Sequence, residues 1–78
     1  MWYYVYVLDC ADGKPYIGYT ANLKERLSRH RKGQVRFTCE RLPIKLRCAF
    51  AFRDQYKALS FEKYLKSGSG RAFAKRHF

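Results

Sequence analysis

The sequence predicts an α+β fold: a three-stranded antiparallel sheet with helices packed on it, in the order β-β-α-β-α, followed by a short C-terminal helix. Three observations support this prediction. The chain has 78 residues, 47% of them apolar and 18% aromatic, so residues 1–78 are expected to form one small domain with a ring-filled core. An apolar run near the start is followed by an Asp-Gly turn and a second short strand. Two later segments carry apolar residues at helical spacing.

The first two strands are predicted from the opening 20 residues. Residues 2–8 are continuously apolar or aromatic, which is typical of a central strand covered on both faces. The turn "ADGKP" tolerates positive φ, and "YIGYT" predicts a second strand, so the two form a hairpin. A period of two divides the first strand between two faces, with Tyr4, Tyr6 and Leu8 on one and Tyr3, Val5 and Val7 on the other.

The first helix is predicted over "NLKERLSRHRKG". Asn22 followed by Glu25 resembles a capping box, and Gly33 ends the helix. Leu23 and Leu27 form its apolar stripe. At about 100° per residue, Arg26 and His30 flank that stripe on its inner side.

The second half supplies one strand and one further long helix. Residues 34–44 lack a period and contain Pro43, which indicates a loop. The segment "KLRCAFAFR" alternates, which predicts a third strand with Leu46, Cys48, Phe50 and Phe52 on one face. Asp54 is expected to cap a helix that runs to about Lys66, with Glu62 between the core positions Ala58 and Leu65. The tail "RAFAKRHF" is expected to add a helical turn or two.

Charge and cysteine content restrict the partners and the compartment. Seventeen Lys and Arg residues against six Asp and Glu give a net charge of +11, which favours nucleic acid as the partner. Three cysteines without metal-ligand spacing favour a reducing, cytoplasmic location. The apolar start is too short to span a membrane and lacks the features of an export signal, so no membrane association is expected.

Three polar side chains are predicted on inward stripes: Arg26, His30 and Glu62. An inward charge is costly unless it is paired or acts on another charge. One interpretation is a buried Arg26–Glu62 ion pair that ties two helices together. The other is a site, because all three could meet the sheet face that carries Tyr4, Tyr6 and Tyr16. Such a set suits phosphodiester hydrolysis, with a carboxylate for a metal ion, a guanidinium for phosphate, and imidazole and phenol for proton transfer.

The motifs resemble those of the GIY-YIG endonuclease superfamily, especially its compact single-domain bacterial members. The tripeptide "YVY" (residues 4–6) is similar to the first motif strand and "YIG" (residues 16–18) to the second. The segments "NLKERLSRH" and "FEKYLKSGSGRAF" extend the likeness over nearly the whole chain. The resemblance implies an endonuclease that needs Mg²⁺ or Mn²⁺ and hydrolyses DNA in preference to RNA, with structure-directed or weak specificity.

The resemblance also implies a role for individual residues. Tyr6 and Tyr16 match the motif tyrosines, one of which is the expected general base or water-positioning group. Gly18 matches the motif glycine, where a side chain would crowd the site. Arg26 matches the phosphate-binding arginine, His30 a histidine that assists proton transfer, and Glu62 the metal-binding glutamate. The further basic side chains expected to contact substrate are Lys24, Arg29, Lys66 and Arg71.

The sequence departs from the family pattern at two places. Tyr4 occupies the position of the first motif glycine, and no asparagine follows Glu62, which leaves Ser67 or Ser69 to replace it. We expect no second DNA-binding domain within these 78 residues, so specificity is expected from the basic surface of this domain, a protein partner or a homodimer. Two alternatives to a nuclease stay open: a non-catalytic nucleic-acid-binding module of the same fold, and a basic subunit of a ribonucleoprotein.

Overall fold

The computed structural model describes residues 1–77. Its elements follow the predicted order, with one further helix that is longer than expected. They are β1 (Tyr3–Asp9), β2 (Pro15–Thr20), α1 (Leu23–Arg31), β3 (Lys45–Phe52), α2 (Gln55–Lys66) and α3 (Gly68–His77). Within the described residues, no helix has the length and apolar character needed to cross a membrane.

The sheet is antiparallel throughout and has the order β2-β1-β3, which confirms β1 as the central strand. The Asp-Gly turn joins β1 to β2, with Gly13 at a φ of +79° and its N–H donating to the carbonyl of Cys10. This is the left-handed conformation that the turn requires and that glycine adopts without a steric cost. In the resulting register Tyr6 lies opposite Gly18, and Leu8 lies opposite Tyr16.

Each face of the sheet has its own small core. On one face Val5 and Val7 pack with Ala58 and Leu65 of α2, joined by Ile17 and Tyr19 of β2. On the other face Tyr6 and Leu8 pack with Leu27 of α1, joined by Tyr16. The predicted division of β1 into two faces is therefore confirmed. Helices α1 and α2 lie on opposite sides of the sheet.

The predicted face of Leu46 is wrong. The pairing of β1 with β3 shifts between Val7, opposite Cys48, and Leu8, opposite Leu46, which leaves Arg47 as an extra residue. A bulge of this kind reverses the alternation on one side of it. Leu46 consequently packs in the α1-side core, whereas Cys48 packs in the α2-side core.

Side-chain caps explain where α1 and α2 begin. The Asn22 side chain accepts from the N–H of Glu25 at 3.2 Å and donates from its amide to the Glu25 carboxylate at 3.3 Å, whereas the backbone N–H of Asn22 donates to Thr20 Oγ1, so only half of the capping box forms. Asp54 accepts from the N–H groups of Tyr56 and Lys57. Helix α1 ends at Arg31, and Gly33 follows it with a φ of +73°.

The tail forms a ten-residue helix instead of a turn or two. Helix α3 starts inside the "SGSG" segment because the Ser67 hydroxyl accepts from the N–H of Gly70 at 3.1 Å. Gly70 lies directly against α2, where an added Cβ would be 1.7 Å from the carbonyl oxygen of Tyr64. The small residues that suggested a break in the chain therefore allow two helices to pack closely.

Candidate active site

A buried hydrogen bond joins the first motif strand to the first helix. The hydroxyl of Tyr6 lies 2.8 Å from Nε2 of His30, and both side chains are fully excluded from solvent. Tyr6 reaches this position because its ring passes over Gly18 on the neighbouring strand. A Cβ at Gly18 would lie 2.4 Å from both Cζ and the hydroxyl oxygen of that ring. The absence of a side chain at residue 18 is thus a geometric requirement of the Tyr6–His30 contact.

Tyr16 completes an aromatic group around His30. Its ring centroid is 5.2 Å from that of His30 and 6.3 Å from that of Tyr6. Unlike Tyr6, it is only half-buried. The structure therefore places one phenol inside the site and one at its surface.

Arg26 lies one helical turn before His30 and faces both phenols. The Tyr6 hydroxyl beside the guanidinium is the main reason that the pKa of Arg26 is raised, and Tyr16 adds to this. Its Nε atom is buried and has no hydrogen-bond partner within residues 1–77. A buried guanidinium N–H without an acceptor is costly, and a phosphate oxygen is a ligand that suits it well.

Burial determines the protonation of the two central groups. It raises the pKa of Tyr6 above the usual value, although the Arg26 guanidinium near the hydroxyl opposes the shift. Burial also lowers the pKa of His30 to about 4, and the charges of Arg26 and Arg29 act in the same direction. These effects outweigh the helix dipole at the C-terminus of α1, which favours a cation. At neutral pH the pair is a neutral phenol and a neutral imidazole.

Glu62 approaches the site from the other side of the sheet, so the expectation that all three inward polar groups meet one sheet face is wrong. Its helix, α2, packs on the Val5 and Val7 face, yet the Glu62 carboxylate is near enough to Tyr6 to help raise the pKa of that phenol. Because Tyr6 extends over β2, the meeting point lies at the β2 edge of the sheet. The site is therefore assembled around an edge, with α1 on one side and α2 on the other.

The alternative of a buried Arg26–Glu62 ion pair is not observed. In the described part of the chain the Glu62 carboxylate pairs with Lys66, one turn later on α2, at 3.1 Å. The Glu62 side chain has a relative solvent exposure of 19%, so an ion can reach it from solvent. Arg26 and Glu62 are thus not paired with each other, and the partner of Glu62 is a half-exposed lysine on its own helix.

Thr38 belongs to the site although sequence reasoning did not single it out. Its Oγ1 lies 2.8 Å from Nδ1 of His30, and the residue is fully buried. It sits in the aperiodic segment 34–44, where the sequence carries no signal that would separate one buried threonine from the surrounding loop residues.

The segment that carries Thr38 is fixed to the β1–β2 hairpin. Arg41 donates to the carboxylate of Asp12 at 2.7 and 3.3 Å and to the carbonyl of Lys14 at 2.8 Å. The Arg41 guanidinium holds the pKa of Asp12 below its usual range. The hairpin turn therefore anchors the loop that positions Thr38.

Basic side chains border a groove beside Tyr16. Two of the four predicted substrate contacts, Lys66 and Arg71, line it, together with Lys14, Arg41, Arg47, Lys75 and the exposed ring of Phe37. The other two, Lys24 and Arg29, are exposed on α1 and do not line this groove. The Ser67 hydroxyl bonds to the backbone of Tyr64 and Gly70, and Ser69 is exposed on α3.

A sequence model described as the GIY-YIG catalytic domain matches residues 2–76. The chain belongs to the GIY-YIG family. This confirms the resemblance drawn from the two motif strands. The GIY-YIG superfamily is one of endonucleases, so the sheet and helices described above form a nuclease-type fold.

Similar proteins within the family carry only the name UPF0213. One from Streptococcus pneumoniae is 45% identical over 64 residues, covering 81% of this chain and 65% of its own length. One from Streptococcus agalactiae is 38% identical over 78 residues, covering 95% of this chain and 89% of its own length. The solution NMR structure of a UPF0213 protein from Bacillus halodurans is 34% identical, with a TM-score of 0.63 over 96% of this chain and 81% of that one. The chain spans less than two thirds of the length of the first of these relatives.

The residues of the site can bind a hard cation such as Mg²⁺ only if water and substrate supply most of its ligands. No group of three or more His, Cys, Asp or Glu side chains gathers into a metal site in residues 1–77. Glu62 therefore offers a single carboxylate. Mg²⁺ is commonly held by one or two carboxylates with several waters and a substrate phosphate, so this GIY-YIG domain has a donor set that suits it.

Proposed function

We propose that the chain is a Mg²⁺-dependent endonuclease that hydrolyses phosphodiester bonds in DNA, with structure-directed or weak sequence specificity. One observation carries the proposal. The Tyr6 hydroxyl bonds to His30 and is influenced by both Arg26, whose Nε has no partner in residues 1–77, and the partly exposed carboxylate of Glu62. If these groups had only a structural role, the buried Arg26 Nε would lack an acceptor, and Arg26 and Glu62 would be expected to form an ion pair, which they do not.

Arg26 is proposed to bind the scissile phosphate. Its guanidinium can donate two parallel hydrogen bonds to phosphate oxygens and stabilise the charge that grows on them. In the free protein the same group lies near the Tyr6 hydroxyl. A phosphate bound to Arg26 would therefore lie close to the phenol.

Proton transfer is assigned to Tyr6 and His30. The attacking water forms a bond to phosphorus and gives its proton to the Tyr6 oxygen, while Tyr6 passes its own proton to Nε2 of His30. The phenol is regenerated, His30 becomes a cation, and the bond from phosphorus to the leaving oxygen breaks, with that oxygen keeping the electron pair and taking a proton from solvent. His30 is neutral at the start, so Nε2 has a free lone pair, and a phosphate bound at Arg26 would offset part of the positive charge that lowers the pKa of His30.

Glu62 is the residue that would hold Mg²⁺ or Mn²⁺. A bound ion there would neutralise charge on the phosphate and favour ionisation of a coordinated water. Lys66, which now pairs with Glu62, lines the basic groove and would be free to contact the substrate backbone.

The test is a cleavage panel of single-stranded, duplex, flapped and branched DNA and matched RNA, each with and without Mg²⁺ or Mn²⁺. Glu62→Gln is expected to lose cleavage while still binding the oligonucleotides. Glu40→Gln, an exposed carboxylate in the loop with the same change of charge, is the matched control and should cleave like the parent. If Glu62→Gln cleaves at the parental rate, the proposed mechanism is wrong.

Tyr6→Phe and Tyr16→Phe distinguish the two phenols. Tyr6→Phe removes the proton relay and is expected to slow cleavage about 100-fold or more, in the range of general-base catalysis. Tyr16→Phe should have the smaller effect. The reverse order would show that Tyr16 activates the water. Salt-sensitive binding without cleavage of any member of the panel would instead identify a non-catalytic binding module.

A further inference from the structure

Thr38 contacts the side of the His30 ring that faces away from Tyr6. The imidazole is thus held at both nitrogens, by Thr38 Oγ1 at 2.8 Å and by the Tyr6 hydroxyl at 2.8 Å. All three side chains are fully buried, so water cannot substitute for either partner. A ring held at both ends by fixed groups has its tautomer chosen by them.

The contacts run from Arg26 through Tyr6 and His30 to Thr38, and one donor-to-acceptor direction satisfies every group along them. Arg26 is a cation that can only donate, and it lies beside the Tyr6 hydroxyl, so it favours the orientation in which the oxygen lone pairs face it and the hydroxyl proton points away. The proton of Tyr6 then needs an acceptor, and Nε2 of His30 is the one within reach in the described residues. The ring proton must consequently lie on Nδ1 and point at Thr38.

The hydrogen bonds of the Thr38 hydroxyl follow the same donor-to-acceptor direction. Thr38 Oγ1 accepts from Nδ1 of His30, and its own hydroxyl proton points toward the carbonyl of Val35 at 3.5 Å. With the opposite tautomer, the Tyr6 oxygen would face both the Arg26 cation and the N–H of His30, while its own proton would have no acceptor among the hydrogen bonds of residues 1–77. A buried hydroxyl in that state is costly.

We infer that Thr38 is a positioning residue, which places the proton of His30 on Nδ1 and thereby keeps Nε2 unprotonated and aimed at Tyr6. Its consequence for catalysis rests on the proposed function, because it is the free Nε2 that receives the proton of Tyr6. The tautomer itself follows from the contacts and does not depend on whether the protein cleaves DNA.

Nitrogen NMR of the imidazole rings tests the tautomer directly. In the parent protein near pH 7, His30 is expected to show a pyrrole-like Nδ1 and a pyridine-like Nε2. The exposed His77 supplies a reference ring in the same spectrum. A pyrrole-like Nε2 in His30 of the parent would overturn the inference, whatever the outcome of the cleavage panel.

Two substitutions test whether Thr38 imposes this state. Thr38→Val keeps the shape and removes the hydroxyl, and Thr38→Ser keeps the hydroxyl and removes the methyl group. Thr38→Val is expected to shift His30 toward the other tautomer or a mixture, and to slow cleavage about tenfold or more, part of what a general base provides. Thr38→Ser should keep the parental tautomer and most of the rate.

The outcomes separate the inference from the proposed function. If Thr38→Val retains the Nδ1–H tautomer and the parental rate, Thr38 only fills space and the inference fails. If the parent does not cleave but the tautomer changes in Thr38→Val and returns in Thr38→Ser, the assignment of Thr38 holds and the nuclease proposal fails. Because the parental spectrum needs no variant, poor folding of Thr38→Val does not prevent the test.

Discussion

Replacing Gly18 by Ala should be among the most damaging single-methyl changes in this chain. The new Cβ would lie 2.4 Å from Cζ and the hydroxyl oxygen of Tyr6, whereas ordinary contact begins near 3.4 Å. The ring must therefore move by the difference, 1.0 Å. It lies fully buried between the sheet and α1, so the shift disturbs both its packing and its 2.8 Å contact with His30.

The size of the effect follows from those two disturbances. Overpacking of a core costs about 1–3 kcal/mol of unfolding free energy. Loss of a buried hydrogen bond that leaves both groups unsatisfied costs about 1–3 kcal/mol more. We expect a total of about 2–6 kcal/mol, which at a urea m-value of about 1 kcal/mol/M lowers the midpoint by about 2 M or more.

Gly68→Ala is the matched control, because a Cβ at residue 68 meets nothing within 4 Å and the backbone there needs no positive φ. Urea unfolding followed by circular dichroism should show this variant at or slightly above the parental midpoint. The reasoning would be refuted if Gly18→Ala and Gly68→Ala unfolded at the same urea concentration. Nitrogen NMR should additionally show an altered His30 ring in Gly18→Ala alone.

Three further outcomes are expected. The pKa of His30 is 6.5 in the unfolded chain and about 4 in the folded one, so the free energy of unfolding should fall by about 3 kcal/mol as pH drops from about 6.5 to about 4. Urea titrations at several pH values should show that His30→Gln lacks this part of the decrease. An equal decrease of the unfolding free energy in both proteins would contradict the prediction. Gly70→Ala should detach α3, because the new Cβ would be 1.7 Å from backbone, and hydrogen exchange in α3 should then be faster than in Gly68→Ala. Arg71→Gln should reduce the slope of log binding constant against log salt by about 1, whereas Arg53→Gln, over Trp2 and outside the groove, should leave it unchanged.

The features that sequence could predict are those set by local chemistry. Alternation placed Tyr6 and Val5 on opposite faces of β1, and the caps at Asn22 and Asp54 placed the starts of α1 and α2. Helical spacing placed His30 on the buried side of α1. These properties depend on a few consecutive residues, so the printed sequence contains them.

The features that sequence could not predict depend on how separate elements meet. Leu46 changes face because β3 pairs with a bulge, which is a property of two strands together. Glu62 was correctly expected between core positions, but nothing in its helix indicates which side of the sheet that helix covers. Thr38 is part of the site only because Arg41 fixes its loop to the hairpin, 29 residues earlier, at Asp12.

The position of the site at the β2 edge links it to both cores of the fold. Tyr6 and His30 belong to the layer formed with α1, and Glu62 belongs to the layer formed with α2. Neither layer alone contains every group that the proposed chemistry needs. A substitution that loosens either helix from the sheet should therefore abolish cleavage before the chain unfolds, even when it changes no residue of the site. Residual activity in a library of core variants would then report how firmly the two layers are held together, and the most active members would be those with both helices docked.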